Sequence, residues 1–385
     1  MRIVHLCNYF QPKLGYQEYF LSNEHSKMGH EVTVVTSERY FPFPDYDNTV
    51  FPVLGKRIGD PGEFDYEGFR VIKLDIAFEF SKRVWLRGLT RVLKRIQPDV
   101  VICHGIGNFN ALRAAKLKGR LGFRLVVDDH MLISEKNHSL LGQLYYKAFN
   151  FRNIYEKADR IVGVADECVE YIVDQYKFPR SRVEMIPLGA DIDLFRFNKQ
   201  LGEGFRRKHR IDPEAVVITY TGKHTFKKGP HNILMALEKL KDVLGDRKVT
   251  ALFIGNMENA YEQTFNDHVG RVTDKIQVVR IAAVTNKELV DIYSASDIAV
   301  WPRQGSMSMI EASSCEVAIV CCDFLTERYK NNNGIPIKED DIDDLAKAFD
   351  FLIRNDEERV AMGKRGRELI MNEMSWKIIA ERFIK

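Results

Sequence analysis

At 385 residues the chain is too long for one ordinary core and suits two domains of about 190 residues each. Its 45% hydrophobic and 29% charged residues are those of a globular protein, and a net charge of +3 is too small for a general nucleic-acid binder, whose basic excess would be larger and clustered. The first residues enter a strand pattern without the basic, apolar and small-residue series of a secretory leader, and no run approaches the ~18–20 apolar residues that cross a bilayer, so a cytoplasmic protein is expected.

The predicted elements follow in chain order. Residues 2–8 read as an apolar strand, 15–28 have helical spacing and 31–37 are again strand, a βαβ opening. The loop NYFQPKLGYQEY, with Pro12 and Gly15, brings backbone close to whatever occupies the carboxyl edge of the sheet. Residues 41–65, rich in Pro, Gly, aromatics and acids, read as a surface excursion serving a substrate. Strands at 69–75, 99–105, 124–130, 160–165 and 183–188 then alternate with helices at 82–96, 108–121, 139–158 and 167–176, and His104 and His130 stand at strand ends.

Residues 195–214 are polar and charged and separate the halves. The pattern restarts at 216–222, followed by the loop KHTFKKG, a helix at 230–244 with Pro230 in its first turn, and a strand at 249–255. A helix at 259–272, a strand at 276–281 and a short helix at 287–295 come next, and helices at 342–354, 357–371 and 376–384 close the chain. Alternation of this kind predicts in each half a doubly wound parallel sheet with ligands at its carboxyl edge, and a cleft between the halves. The six cysteines lack metal-ligand spacing and read as reduced thiols inside apolar elements.

The chemistry concentrates at residues 297–323, DIAVWPRQGSMSMIEASSCEVAIVCCD: a strand, a loop of small residues, a helix bearing Glu311 and a second strand. A loop that leaves a parallel strand and opens a helix presents amides that no helical carbonyl satisfies, backed by the helix dipole, and so receives an anion. A carboxylate less than one turn later must look past that anion toward hydroxyls. Phosphate with vicinal hydroxyls means a nucleotide.

The series NYFQPKLG, GHEVTVVTS, DVVICHG, DDH, IPLGADIDLF, TGKHTFKKG and SDIAVWP followed by SMSMIEA, in that order over almost the whole chain, resembles glycosyltransferase family 4. The resemblance implies an α/β GT-B fold, two Rossmann-like parallel-sheet domains facing a central cleft: 1–195 for the acceptor, 196–370 for a nucleotide-sugar donor, and a helix at 371–385 packing back toward the first. It implies a retaining transfer from a nucleotide-diphosphate sugar to a hydroxyl of a glycan or lipid-linked acceptor, with no cofactor and no metal.

Residue by residue, the resemblance gives Lys223 and Lys228 the donor diphosphate, together with the loop Gly305, Ser306, Met307, Ser308 and Met309, and gives Glu311 the ribose. Arg303 stands where the family has the first of two glutamates; either Gln304 substitutes for that acid, with the loop one residue shorter, or Arg303 instead meets an acidic sugar or a phosphate. Gly15 fits one of two paired loop glycines, and Tyr16 replaces the other and narrows the approach to the diphosphate. His130 takes the place of the histidine at the reacting centre, and His104 lines the cleft. Gly255, Asn256, Arg280 and Ile281 border the base, with Ala282 in place of a glycine, while Glu316 and Ala318 replace Gly and Pro. Arg83, Arg87, Arg91, Lys94 and Arg95 on the expected helix at 82–96, with five more cations at 113–124, suggest peripheral contact of the N-terminal domain with the inner face of the cell membrane. The rival readings are a non-catalytic sugar-nucleotide binder and an epimerase of the same fold.

Overall fold

The computed structural model describes residues 1–132 and 151–385. The chain divides into two compact units, Met1–Leu188 together with Trp376–Lys385, and Gly189–Ser375. The division falls at Leu188 and not at 195 because the segment after it is bound into the second unit. The Phe195 ring lies in that unit's core, its carbonyl accepts from Ser314 Oγ at 2.6 Å and Arg367 Nη1 at 2.8 Å, and Ala190 pairs with Ser375.

In the first unit β1 (Arg2–Leu6), β2 (Glu31–Ser37), β3 (Gly62–Tyr66), β4 (Phe69–Leu74), β7 (Val100–His104), β8 (Arg124–Asp129), β9 (Arg160–Gly163) and β10 (Val183–Met185) form one sheet in the order β10-β9-β8-β7-β1-β2-β4-β3. All pairs are parallel except β3 with β4. The strands β5 (Ile76–Phe80) and β6 (Arg83–Leu86) make a separate hairpin. In the second unit β11 (Val216–Thr221), β12 (Val249–Ile254), β13 (Gln277–Ile281), β14 (Ile298–Trp301), β15 (Ala318–Cys322) and β16 (Gly334–Ile337) form an all-parallel sheet in the order β13-β12-β11-β14-β15-β16. Every residue of β11, β12, β14 and β15 is buried, as continuous apolar runs covered on both faces require.

Three expectations need correction. The helix placed at 82–96 is a strand and a shorter helix: Ser81 and Lys82 both take positive φ (48° and 60°) and turn β5 into β6, and Gly88 then opens the helix Leu89–Ile96. Arg83 and Arg87 therefore leave the supposed basic face and bind the carbonyls of Gly107 at 2.8 Å and Ile76 at 3.1 Å. The excursion at 41–65 holds two one-turn helices, Tyr46–Thr49 and Phe51–Leu54, and the antiparallel edge strand β3, joined to β4 through Glu67 and Gly68 at φ 45° and 91°. The polar segment at 195–214 contains the helix Lys199–Lys208, capped by Asn198 Oδ1. Most of the helix expected at 139–158 lies outside the described residues, and its end is the helix Arg152–Lys157.

The last ten residues belong to the first unit. Phe20 stacks on Trp376 at 4.7 Å, and Arg124 and Arg382 bind the carbonyls of Ile384 and Met185. In the second unit Glu316, which stands where the family has glycine, holds φ 61°, a left-handed conformation that glycine adopts without cost.

The helix Lys199–Lys208 lies against Asn286–Ala295 so closely that a Cβ on Gly202 would come within 2.2 Å of the Ser294 carbonyl oxygen, whereas a Cβ on Gly204 of the same helix meets nothing. Gly204→Ala should therefore stabilise the second unit by about 0.5–1 kcal/mol through helix propensity. Gly202→Ala should instead destabilise it by about 1–3 kcal/mol, the usual cost of overpacking. Thermal denaturation of the two variants, with shifts of opposite sign, checks the packing.

Candidate functional site

The elements of the second unit bring most of the expected donor residues to one sheet edge. Gly222 follows β11 and Gly255 follows β12, with φ of 146° and 138°, and a Cβ on Gly255 would lie 1.9 Å from the Gly222 carbonyl oxygen. Only glycines allow this approach. The chain after β11 then folds over the exit of β12: the His224 amide donates to the Asn256 carbonyl at 2.9 Å and the Glu258 amide to the His224 carbonyl at 3.0 Å. Lys223 is exposed on this fold, and its carbonyl accepts from the Tyr220 hydroxyl at 2.9 Å. The His224 ring is buried against Tyr220, Phe253 and Phe265, and burial pushes its pKa down to about 4. It stays neutral and adds no charge beneath the lysines.

The rest of the lysine loop is a tight turn. The amides of Lys228 and Gly229 donate to the Thr225 carbonyl at 3.2 and 3.0 Å, and Lys228 N also reaches Thr225 Oγ1 at 3.2 Å. Arg303 lies flat across Gly229, where a Cβ would meet its Cδ and Nε at 2.8 Å. Its guanidinium binds the Phe226 carbonyl and, at 2.7 Å, Asp340 Oδ1, which also accepts from Asn232 Nδ2 at 2.9 Å. Two of the Arg303 nitrogens thus clamp the lysine loop to the loop after β16. Neither the clamp nor Asp340 was legible in the sequence, because Asp340 comes 37 residues later.

After β14 the loop through Gly305 runs into the helix Met307–Ser314, whose N-cap Ser306 accepts from the Ser308 amide at 3.3 Å. The hydroxyl of Tyr293 meets Thr221 Oγ1 at 2.9 Å at the end of β11. Tyr293 was missed because a tyrosine within an apolar helical pattern carries no functional signal. Beside it Glu311 sits on the helix Met307–Ser314, and burial raises its pKa from 4.5 to about 7. Of the expected base-pocket residues, the Gly255 amide donates to the Ile281 carbonyl at 2.9 Å, and Asn256 Oδ1 accepts from the Ala283 amide at 3.2 Å. The Arg280 side chain turns away to Asn266 at 2.7 Å and the Phe265 ring, leaving its backbone as the part available to a base.

The remaining candidates belong to the first unit. Gly15, at φ 66°, ends the turn Pro12–Leu14, and Tyr16, 41% exposed, begins the helix Gln17–Lys27. His104 ends β7 and pairs with Asp128 on β8, Nδ1 to Oδ2 at 2.8 Å. His130 follows β8, exposed, with Nε2 3.8 Å from Asp128 Oδ1. The buried Asp129 between them accepts from the Met131 amide at 2.9 Å and the Tyr176 hydroxyl at 3.0 Å, and burial raises its pKa to about 6. A DDH sequence thus alternates faces along β8, one carboxylate to each side.

The Glu311 shift has a sign. Between pH 4.5 and 7 the folded form keeps a proton that the unfolded chain has lost, so stability falls as pH rises through that window and levels off above it. Glu311→Gln should therefore stabilise the unliganded protein at pH 8, by about 2 kcal/mol, and leave its Tm unchanged at pH 4.5. Thermal melts of both forms at the two pH values are the check.

Two family models match this chain in sequence: Glycosyltransferase Family 4 over residues 19–194 and Glycosyl transferases group 1 over residues 203–369. A D-inositol 3-phosphate glycosyltransferase of Corynebacterium jeikeium is 24% identical over 287 residues, 64% of each chain. The phosphatidylinositol N-acetylglucosaminyltransferase GPI3 subunit of Saccharomyces cerevisiae is 23% identical over 394 residues, all of this chain and 82% of the yeast protein. The crystal structure of Anabaena Alr3699/HepE in complex with UDP superposes with a TM-score of 0.71 at 13% identity, over 100% of this chain and 98% of that one. A glycosyltransferase from Rickettsia africae gives 0.72 at 14%, over 100% and 96%. With both halves matched and the sheet orders described above, the chain belongs to the GT-B glycosyltransferases, a Glycosyltransferase Family 4 segment followed by a Glycosyl transferases group 1 segment.

Proposed function

We propose that this protein transfers a sugar, with retention of anomeric configuration, from a nucleoside-diphosphate donor to a hydroxyl of a glycan or glycolipid acceptor assembled at the cytoplasmic face of a membrane. The observation that carries the reading is the edge of the second sheet, where the lysine loop held by Arg303, the capped start of the helix Met307–Ser314 and the half-buried acid Glu311 occur in one unit. Lys223, Lys228 and the start of the helix Met307–Ser314, backed by its dipole, supply preorganised positive charge for a leaving diphosphate. Glu311, half protonated near pH 7, both donates to and accepts from ribose hydroxyls. Negative charge growing on the diphosphate is met by these groups without a metal ion, and the departing phosphate itself takes the proton of the incoming hydroxyl. His130 contacts the donor sugar at the reacting centre.

Similar structures were solved with UDP and with UDP-glucose, which makes UDP the first nucleotide to test. The two sequence relatives are named for an inositol phosphate and for phosphatidylinositol, so an inositol-phosphate headgroup is the first acceptor to assay. Membrane contact rests on a different surface from the helix first expected. Phe78 and Phe80 on β5 are 45% and 62% exposed, next to Lys82, and none of the described helices is long and apolar enough to cross a membrane.

UDP at 100 times its dissociation constant should stabilise the protein by about 2.7 kcal/mol, and Lys223→Ala or Lys228→Ala should weaken that binding about 10–100-fold. Titration calorimetry reads both; unchanged affinity in both variants removes the diphosphate assignment. Turnover should survive EDTA, and product should require an acceptor. UDP-sugar binding without any turnover would favour the non-catalytic reading, and conversion of donor alone the epimerase. Flotation with anionic liposomes should be lost in Phe78→Ser/Phe80→Ser; wild-type protein left at the bottom of the gradient excludes the membrane contact.

A further inference from the structure

A line of three histidines runs through the first unit behind the carboxyl edge of its sheet. Asp128 Oδ2 lies 2.8 Å from His104 Nδ1, His104 Nε2 lies 3.1 Å from His5 Nδ1, His5 Nε2 lies 3.0 Å from His25 Nδ1, and His25 Nε2 lies 2.8 Å from the carbonyl oxygen of Ala380 on the C-terminal helix Trp376–Ile384. The His5 ring stacks on both neighbours, with centroids 5.4 and 5.2 Å away. His5 and His25 have no exposed surface, and His104 has almost none.

Counting protons along this line gives one more than three neutral imidazoles carry, and the extra charge lies nearest the Asp128 carboxylate when His25 and His5 are the neutral rings. A carbonyl oxygen only accepts, so His25 Nε2 carries a hydrogen. A neutral His25 then has its lone pair on Nδ1 and must receive the Nε2–H of His5. The same step makes His5 Nδ1 the acceptor for the Nε2–H of His104. The nitrogen left over, His104 Nδ1, faces a carboxylate, and a lone pair there would oppose the oxygen's own. One further proton is required between His104 and Asp128. Asp128 also accepts from the Gly105 amide at 3.2 Å and Gln17 Nε2 at 3.3 Å, which holds it ionised and leaves that proton on the imidazole.

We propose that His25, His5 and His104 are positioning residues: the Ala380 carbonyl sets the direction of a chain of N–H bonds that keeps His104 an imidazolium against ionised Asp128, whose other oxygen faces His130. The device spans one proton. A second proton would set two N–H groups against each other at a histidine–histidine contact and break the line. The C-terminal helix thereby sets the charge and orientation of groups at the sheet edge, and this holds whichever nucleotide the protein uses.

The surroundings agree. Asp128 and His130 face His104 from β8 and its exit, Glu18 faces it from the helix Gln17–Lys27 whose Gln17 binds Asp128, Cys103 precedes it on β7 and Cys7 follows β1, and His30 stands 6.3 Å from His25 with the N-terminal ammonium beyond it. Burial, then the neighbouring imidazoles, keep His5 well below the ordinary histidine range, and burial takes His25 down to about 4. His104 is raised by Asp128 and Glu18 against its own burial, and Asp128 is lowered by His104. The unfolded chain protonates all three near pH 6.5, so His5 and His25 take stability away as pH falls below that value. His104 acts with the opposite sign, stabilising below it and less so as pH rises through its raised value.

Long-range ¹H–¹⁵N spectra of the full chain labelled with ¹⁵N-histidine, assigned through single His→Gln variants, test the arrangement between pH 5 and 9. Expected are His5 and His25 as neutral Nε2–H tautomers throughout and His104 protonated on both nitrogens at pH 7. Asp128→Asn should lower the His104 pKa by about 1–3 units while the His25 tautomer persists. A wild-type His5 or His25 in the Nδ1–H form, a neutral His104 at pH 7, or a His104 titration unmoved by Asp128→Asn each overturns the proposal. The wild-type spectrum alone decides it if the variant fails to fold.

Discussion

The candidate donor edge depends on two backbones meeting where no side chain fits. Gly222 and Gly255 follow adjacent strands in conformations that L-residues rarely adopt, and the space between the second Cα and the first carbonyl excludes even a methyl group. The strand ends form a stair: the Gly222 amide binds the Ile254 carbonyl and the Gly255 amide binds the Ile281 carbonyl, each at 2.9 Å. The chain leaving β11 can then cross the exit of β12 and carry Lys223 outward. Any larger residue would push the two exits apart and with them the lysine loop.

Further along the loop the constraint passes from backbone to charge. Arg303 fills the space over Gly229 and ties the Phe226 carbonyl to Asp340. The partly exposed ion pair contributes little to stability by itself. Its value is geometric, since a planar guanidinium bonded on two sides fixes the distance between two loops. A glutamate at this position would face Asp340 and could not make that bridge, so the replacement of the family's first acid and the presence of Asp340 are one feature.

The first unit is organised around buried carboxylates with surplus donors. Glu79, on the β5–β6 hairpin, accepts from the Tyr9 hydroxyl at 2.7 Å and from Arg39 at 3.0 Å and pairs with Arg57, so its pKa is lowered despite burial. It thereby fastens the hairpin to the loops that follow β1 and β2. Asp128 plays the same part between β7 and β8 with His104, Gly105 and Gln17. Asn8, Asn108 and Asn110 join the first loop to the helix Phe109–Leu121 through bonds of 2.8 and 3.1 Å. Each network bonds a charged or polar group to several partners at a sheet edge, which holds these loops in one arrangement.

How much of this was legible differs between fold and site. The alternation of apolar strands with helical spacing determined two parallel sheets, and the fully buried runs of β14 and β15 were readable to the residue because a strand covered on both faces is apolar without interruption. The strand, loop and helix of residues 297–323 pointed to an anion and to Glu311, and family likeness added the lysine loop. The β5–β6 hairpin was not readable, because Ser81 and Lys82 carry no signature of the left-handed turn they make. The Asp340 partner of Arg303, the Tyr293 link to Thr221 and the histidine line ending at Ala380 were equally hidden. Residue types and local spacing settle which segments are strands and which loops can hold a phosphate; the partners of a buried charge, and with them its protonation, are settled only when segments tens to hundreds of residues apart are packed together and water is excluded.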